Sequence, residues 1–542
     1  MKNYVPNIGN ALTNTARRYG GQIGLTHGDV SWTWQELESG ANALAAALVE
    51  LGIGLGDRVA IEGHNCREFY EAMYAITRAG GVYVPVNPRS SVAEVIQMVS
   101  RADAKVFIVR AEHLEEALRA QQELTGNLDV IVIGDAAWPE GAGNRWHRHD
   151  DLVKKHWNAT TVSVAVDRDD ICWQNFTSGT TGVPKGGMNS FGGLYFALLN
   201  RLAEVTPNLG TDDRFLCMAW IGHGTGTMTA ANTLVGCPMV IPESASLDPE
   251  LCWDLIEKHG ITSTFTVPTI LMRLLRHERA ATADCSHLKH IVVTGAAIPA
   301  ADLDLATEKL GSALVQYFGA VEAVGAGTCI RPSEYNRDDP ARFSVGFPRL
   351  GCDAMILDDK LKPLPAGDIG EICLRGPGIF RGFYANAEAT GAVFDDGWYL
   401  SGDLGYKDEA GRIYIAGRKK EMFKSGGLQV YPIEIQNHLS KHEAVEEAQL
   451  ISLPDSDLGE IGIAVVKLKA GASAEERELI QHLNERLARF KLPRRIFFAD
   501  ELPRSANGKV PEKLLIEMLE ADGLIRAGQD VARLPRQAAA AH

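Results

Sequence analysis

Thr177-Ser178-Gly179-Thr180-Thr181-Gly182-Val183-Pro184-Lys185-Gly186 packs three glycines, four hydroxyl side chains and one lysine into ten residues, directly after the apolar run 171–176. Glycines let backbone N–H groups approach an anion with no Cβ in the way. The hydroxyls and Lys185 add further donors, so the stretch reads as a clamp for phosphate oxygens. It is not a Walker A loop, because no Gly-Lys-Ser/Thr closes it and Pro184 sits where that motif enters its helix. A lone glycine-rich loop reads equally well as a solvated turn. The ordered run of hydroxyls, glycine, proline, lysine and glycine is more specific than that.

On the N-terminal side, helical and strand patterns alternate. Thr33-x-x-Glu36 is a capping box opening an amphipathic run with Leu37, Ala41, Leu44, Ala45 and Leu48 on one face, ending at Gly52. Residues 57–61 then read as a strand, followed by strand candidates at 81–86, 105–109 and 130–133. The alternation continues beyond the loop at 215–219, 239–241, 263–267, 291–294 and 314–317, which predicts a largely parallel α/β sheet. From about 344 the texture changes to short strands with Gly/Pro turns (354–357, 371–375, 412–415), as in a mixed β subdomain. A second boundary falls near Gly417-Arg418-Lys419-Lys420. Beyond it, about 120 residues carry their own pattern: helix at 433–440, strands at 445–451 and 463–468, helix at 474–490. The expected architecture is therefore α/β: a large N-terminal domain (1–417) of α/β sheets plus a β subdomain, and a small α+β C-terminal domain (418–525). The tail 526–542 is expected to lack fixed structure.

Bulk properties fit a soluble enzyme. The chain has 542 residues, 45% hydrophobic and 23% charged, enough for several domains and a large core. A formal charge of −15 argues against nucleic acid or an anionic membrane as the main partner. Nine cysteines occur without a CxxC pair, so neither a zinc site nor a disulfide framework is indicated. The N-terminus lacks a charged-then-apolar signal pattern, and no apolar run reaches the ~18 residues of a membrane span. The expectation is a cytoplasmic, reduced protein with no integral membrane segment.

Further motifs follow in order. Trp220-Ile221-Gly222-His223-Gly224-Thr225-Gly226 is glycine-rich around one histidine. Val293-Thr294-Gly295-Ala296-Ala297-Ile298-Pro299 runs from a strand into a small-residue turn. Gln316-Tyr317-Phe318-Gly319-Ala320-Val321-Glu322 follows a strand and ends in a carboxylate. Asp403 sits in Gly402-Asp403-Leu404-Gly405, and Gly417-Arg418-Lys419-Lys420 follows. Lys424-Ser425-Gly426-Gly427-Leu428-Gln429 precedes a helix, and Lys509 closes Ser505-Ala506-Asn507-Gly508-Lys509. Each has a bland reading: a surface acid, a hairpin, a bulged edge strand, a solvated lysine.

Taken together, the phosphate clamp and these motifs resemble the adenylate-forming superfamily of acyl-CoA synthetases, luciferases and adenylation domains, in order and over roughly residues 20–515. The resemblance implies a carboxylate–CoA ligase that uses ATP and Mg²⁺ and passes the acyl group to CoA. It implies that Thr177, Ser178, Gly179, Thr180, Thr181, Gly182 and Lys185 hold the triphosphate. Gly295, Ala296, Ala297, Tyr317, Phe318 and Gly319 would form the adenine site, with Phe318 against the ring. Glu322 would bind the metal. Val321 departs from the threonine usual there, which puts one nucleotide contact in doubt. Asp403 would accept from the ribose hydroxyls, as an ionised carboxylate suits a vicinal diol, with Arg418 reaching the same region.

Lys420 occupies the hinge position of the family. Lys424 and Gln429 match positions contacting the acyl-adenylate, and Gly426-Gly427 would let the pantetheine arm of CoA pass. Lys509 would bridge the attacking carboxylate and the α-phosphate, where two anions must approach one another. Trp220, His223, Gly224, Ala320 and Ala323 are expected in the acyl pocket. Most of the pocket candidates are small, leaving volume for a bulky apolar acid of fatty, aryl or alicyclic type. A small dicarboxylate would want a fixed arginine, and none is assigned there. The oligomeric state stays open, with a homodimer, common among similar enzymes, as one possibility. The alternatives are an adenylating enzyme loading a carrier protein, a luciferase-like oxygenase, and a non-catalytic nucleotide binder. No carrier domain follows Lys509, which favours CoA.

Overall fold

The computed structural model describes residues 4–124, 127–177, 184–244, 246–296, 298, 300–331, 334, 339–504 and 510–525. Of the expected site residues, Ser178, Gly179, Thr180, Thr181, Gly182, Ala297 and Lys509 lie outside them, as does the tail 526–542.

The capping box forms as the sequence dictates. Thr33 Oγ1 accepts from the Glu36 amide at 3.2 Å, and the Glu36 carboxylate accepts from the Thr33 amide at 2.8 Å. Two of the donors orphaned at the helix start are thereby satisfied. The helix Trp34–Glu50 buries Leu37, Ala41, Leu44, Ala45 and Leu48, and Gly52 adopts φ +86° just past its end. It packs on the helix Arg67–Arg78. There the fully buried Arg78 donates to both Glu38 oxygens at 3.0 and 2.7 Å and to the Gly9 carbonyl at 2.9 Å.

Four sheets follow. A seven-stranded sheet runs Trp146–Arg148, Asp129–Ile133, Val106–Arg110, Arg58–Glu62, Val82–Val86, Ile171–Thr177, Lys185–Ser190. All neighbours are parallel except the last pair. Parallel strands need crossovers, and the helices seen in the sequence supply them. A nine-stranded sheet has a parallel centre, including Ser263–Thr266, His290–Val293 and Leu314–Phe318, and antiparallel edges. A five-stranded antiparallel sheet contains Gly370–Arg375, Trp398–Lys407 and Ile413–Arg418. The last sheet holds Phe423–Ser425, Leu428–Val430, Val445–Asp455, Gly459–Leu468 and Arg495–Phe498, with its own apolar core around Ile435, Leu439, Ala464 and Leu483. The expected α/β class with a larger N-terminal and a smaller C-terminal part is thus observed.

Several boundaries differ. The expected strand 215–219 is only Phe215–Leu216, because the chain leaves the sheet to build the turn at Trp220. The expected helix 474–490 ends at Asn484 and resumes as a single 3₁₀ turn, Arg489–Lys491. Breaking there lets Leu487 and Leu492 fold onto the C-terminal core. Arg418 ends the strand Ile413–Arg418 rather than starting the next sheet, so the connection between the two parts is residues 419–422.

The Arg78–Glu38 pair makes a stability prediction. Removing one partner of a buried pair leaves an uncompensated charge, costing about 3–5 kcal/mol. Glu38→Ala should therefore lower the unfolding midpoint strongly, and Glu38→Gln, which keeps an acceptor, less so. Equal midpoints for wild type and Glu38→Ala by calorimetry would show that Arg78 finds another partner.

Candidate active site

The phosphate-clamp stretch joins two antiparallel strands. Thr177 is the last residue of Ile171–Thr177 and pairs in register with Lys185, the first residue of Lys185–Ser190. A Walker-type loop would lead into a helix; this one leads into a strand.

That second strand is held on its outer edge by residues 380–384. The Tyr384 amide donates to Gly186 O at 2.8 Å, Met188 N to Gly382 O at 2.9 Å, and Arg381 N to Met188 O at 2.7 Å. Lys185 Nζ lies 5.7 Å from the centre of the Phe383 ring. The same segment reaches the carboxylate turn, because Phe380 N donates to Glu322 O at 2.8 Å. Asn189 of the same strand donates to Val321 O at 3.4 Å. Lys185 and Glu322 are therefore fixed to one backbone strip, though 137 positions apart in sequence (322 less 185).

Phe380 is the hub of an aromatic cluster, with ring centres 5.0 Å from Phe383, 5.4 Å from Phe394 and 5.7 Å from Tyr399. Burial pushes the Tyr399 phenol well above its ordinary range, and the nearby charges of Glu322 and Asp403 push the same way. Asp403 sits on Trp398–Lys407, buried, with Oδ1 2.9 Å from Arg418 Nε on the neighbouring strand. Its amide donates to Ser401 Oγ at 3.0 Å. Lys185, Glu322, Asp403 and Arg418 thus gather around the Phe380–Tyr399 cluster.

Strand alternation separates Tyr317 from Phe318. Phe318 packs with Ala320 against the β-subdomain core. The Tyr317 ring is buried in the opposite direction, its hydroxyl donating to Val324 O at 3.2 Å. A Cβ on Gly319 would stand 2.6 Å from the Tyr317 hydroxyl, so this turn requires glycine. Gly295, at φ +90°, and Ala296 are exposed at the end of His290–Val293.

In the expected acyl wall, Trp220 Nε1 donates to Gly63 O at 2.9 Å and its ring stands edge-on to His223 at 5.2 Å. Residues Ile221–Thr225 form a π-helical turn in which His223 (φ −119°, ψ −147°) is non-helical. Gly224 lies against Phe265, and Ala323 is fully buried. Asn65 braces the turn, donating to Ala219 O at 2.9 Å and accepting from Ile221 N at 2.8 Å.

Lys420, Lys424, Gly426, Gly427 and Gln429 are exposed and belong to the connection and first hairpin of the C-terminal sheet. Gly426 (φ +58°) and Gly427 (φ +82°) are the two central residues of a tight hairpin, where positive φ at both positions demands glycine. Lys424 and Gln429 are cross-strand partners there.

Two residues that no motif marks are Arg201 and Arg349. Both are buried and stand over the Tyr317 ring, at 5.2 and 4.9 Å from its centre. Burial lowers the Arg201 guanidinium to about 10, and no Arg349 nitrogen has a hydrogen-bond partner.

The description "AMP-binding enzyme" matches residues 12–384, and "AMP-binding enzyme C-terminal domain" matches 434–509. The chain belongs to the AMP-binding enzyme family. It is 33% identical over 491 residues to a feruloyl-CoA synthase of Amycolatopsis sp, covering 90% of this chain and 94% of that one. A 3-[(3aS,4S,7aS)-7a-methyl-1,5-dioxo-octahydro-1H-inden-4-yl]propanoyl:CoA ligase of Mycobacterium tuberculosis is 32% identical over 533 residues, covering 96% of this chain and all of that one. Among solved structures, the anthranilate CoA ligase AuaEII in complex with anthranoyl-AMP superposes with a TM-score of 0.85 at 25% identity, over 96% of this chain and 98% of that one. Within the family, this chain is an AMP-forming acid–CoA ligase.

The glycine at 224 can be tested. A Cβ there would lie 2.7 Å from Phe265 Cζ, so Gly224→Ala must displace the ring. Overpacking of this kind costs about 1–3 kcal/mol. A lower unfolding midpoint together with a narrower range of accepted acids is expected. An unchanged midpoint and range would mean that Phe265 yields freely.

Proposed function

We propose that this ligase activates an apolar-bodied carboxylic acid, of aryl, alicyclic or fatty type, at the site between Lys185, Glu322 and Asp403. The observation that carries this reading is the convergence of those three groups on one aromatic cluster: Lys185 and the Glu322 backbone through the 380–384 strip, and Asp403 through Tyr399. A carboxylate is a poor electrophile and ATP supplies the activation. One carboxylate oxygen attacks the α-phosphorus, the bond to the bridging oxygen breaks, and pyrophosphate leaves. The CoA sulfur then attacks the acyl carbon, and AMP departs with that oxygen.

Lys185 and the hydroxyls from Thr177 to Thr181 hold the triphosphate in this reading. Glu322 would hold the Mg²⁺ that accompanies ATP, a hard cation suited to carboxylate and phosphate oxygens that neutralises charge on the leaving pyrophosphate. Asp403, oriented by Arg418 and Ser401, accepts from the ribose hydroxyls. Phe318 offers its ring to adenine in this reading, with Tyr317 and Gly319 beside it at the same strand end. Trp220, His223 and Gly224 wall the acid, whose apolar body suits the aromatic and small residues there.

Lys509 supplies a cation where carboxylate and phosphate meet. The short connection 419–422 carries the hinge at Lys420, about which the C-terminal part rotates to replace Lys509 with the Gly426-Gly427 hairpin for the thioester step. This division of labour separates the two half-reactions. Lys509→Ala should slow acid-dependent pyrophosphate release by about 10²–10³-fold, the scale of losing one pre-set electrostatic stabiliser. It should leave thioester formation from a supplied acyl-adenylate nearly intact. Equal losses in both half-reactions, measured by quenched-flow mass spectrometry, would refute the assignment. Asp403→Ala should weaken ATP binding with little change in acid preference.

A further inference from the structure

Glu62 ends a strand whose preceding residues Val59, Ala60 and Ile61 are fully buried and apolar. A carboxylate at that place is anomalous. It is 1% exposed, and neither of its oxygens has a hydrogen-bond partner. Arg110, on the neighbouring strand, donates to Glu112 at 2.6 Å. Burying a polar group unsatisfied costs about 1–3 kcal/mol, and more for a charged one.

What faces Glu62 is a histidine. His113 Nδ1 lies 3.4 Å from Glu62 Oε1 and 3.6 Å from Glu116 Oε1. All three ligand atoms fall within 4.8 Å of one another. Bonds of 2.0–2.2 Å to a tetrahedral centre put its ligand atoms about 3.3–3.6 Å apart, and both His113 distances sit at that edge length. The scaffold is rigid. Glu62 pairs in register with Val109 on the parallel neighbour Val106–Arg110, and His113 follows that strand in the single turn Ala111–His113. Glu116 stands three residues on, in the first turn of the helix Leu114–Glu123.

We propose that Glu62, His113 and Glu116 form a binding site for a divalent cation of the zinc class, separate from the nucleotide's magnesium. Two carboxylates and a neutral imidazole around a divalent cation give a site of zero net charge, which is what burial demands. An imidazolium shared by the two carboxylates would still leave the second Glu62 oxygen without a partner, whereas a carboxylate can turn both oxygens to a metal. The imidazole selects against magnesium and calcium, which prefer all-oxygen sets. The site also has a place in the fold. Gly63, the next residue, accepts from Trp220 Nε1, and Asn65 braces the turn beyond it. A bound cation would pin the strand end from which the Trp220 wall is hung.

The full-length chain, stripped with a chelator and free of ATP, should be titrated with Zn²⁺ alone against a chromophoric chelator, and with Co²⁺ alone by visible absorption. One equivalent should bind, Co²⁺ should give a tetrahedral spectrum, and Zn²⁺ should raise the unfolding midpoint. His113→Ala and Glu116→Gln, at side chains 11% and 16% exposed, should keep the fold and weaken binding by at least about tenfold. Glu62→Gln should do the same if it folds. His442→Ala/His482→Ala, at the edge-to-face histidine pair on the C-terminal part, should leave the affinity unchanged. Absence of stoichiometric binding, or binding unaffected by His113→Ala, would overturn the proposal.

Discussion

The hydrogen bonds between the strand Lys185–Ser190 and residues 380–384 are the constraint on which the site depends. One edge of that strand completes the parallel sheet that carries the phosphate-clamp stretch; the other grips the strip whose first amide holds Glu322. Because the contacts are backbone to backbone, they fix distances without regard to side-chain identity. A cation and a carboxylate from distant parts of the chain are thereby set against one small aromatic cluster. Asp403 and Arg418 enter from a third sheet onto the same cluster. Pre-setting charge in this way lets a site stabilise a developing charge without reorganising during the reaction.

The electrostatics follow from the same arrangement. A chain of net charge −15 must bind nucleotide triphosphate, a carboxylate and CoA, all anionic. Against that background its cations are held by local partners: Lys185 over Phe383, Arg418 on Asp403, and the buried Arg201 and Arg349 around Tyr317. Aromatic faces serve as partners for several of these cations, an attraction that survives where water is excluded.

Much of this was legible from residue order, because the informative features were local. The Thr33–Glu36 capping box and the glycine pair at 426–427 each specify a conformation within four residues. The strand alternation at 314–318 likewise sends adjacent rings to opposite faces. Backbone propensity alone fixes such elements. The features that escaped are those made by residues far apart in sequence. Asn65 braces the turn at Trp220 from more than 150 positions away. Arg201, inside a helical segment, and Arg349, in a loop, meet only because both pack on Tyr317, and nothing in their neighbours marks either one. Glu62 reads as the polar end of an ordinary strand until its lack of a partner is seen. Tyr317 illustrates a finer limit. Motif matching places it beside Phe318, whereas the period of a strand sends the two rings to opposite faces.

The central claim is that a carboxylate oxygen of the substrate becomes bonded to the α-phosphorus of ATP in this site. An acid that supports turnover, labelled with ¹⁸O in its carboxylate, should be incubated with the enzyme, ATP, Mg²⁺ and CoA, and the released nucleotide examined by mass spectrometry. The account predicts one ¹⁸O atom in AMP and none in pyrophosphate. Label appearing in inorganic phosphate, with ADP as the nucleotide product, would mean that the acid is activated as an acyl phosphate and would contradict it.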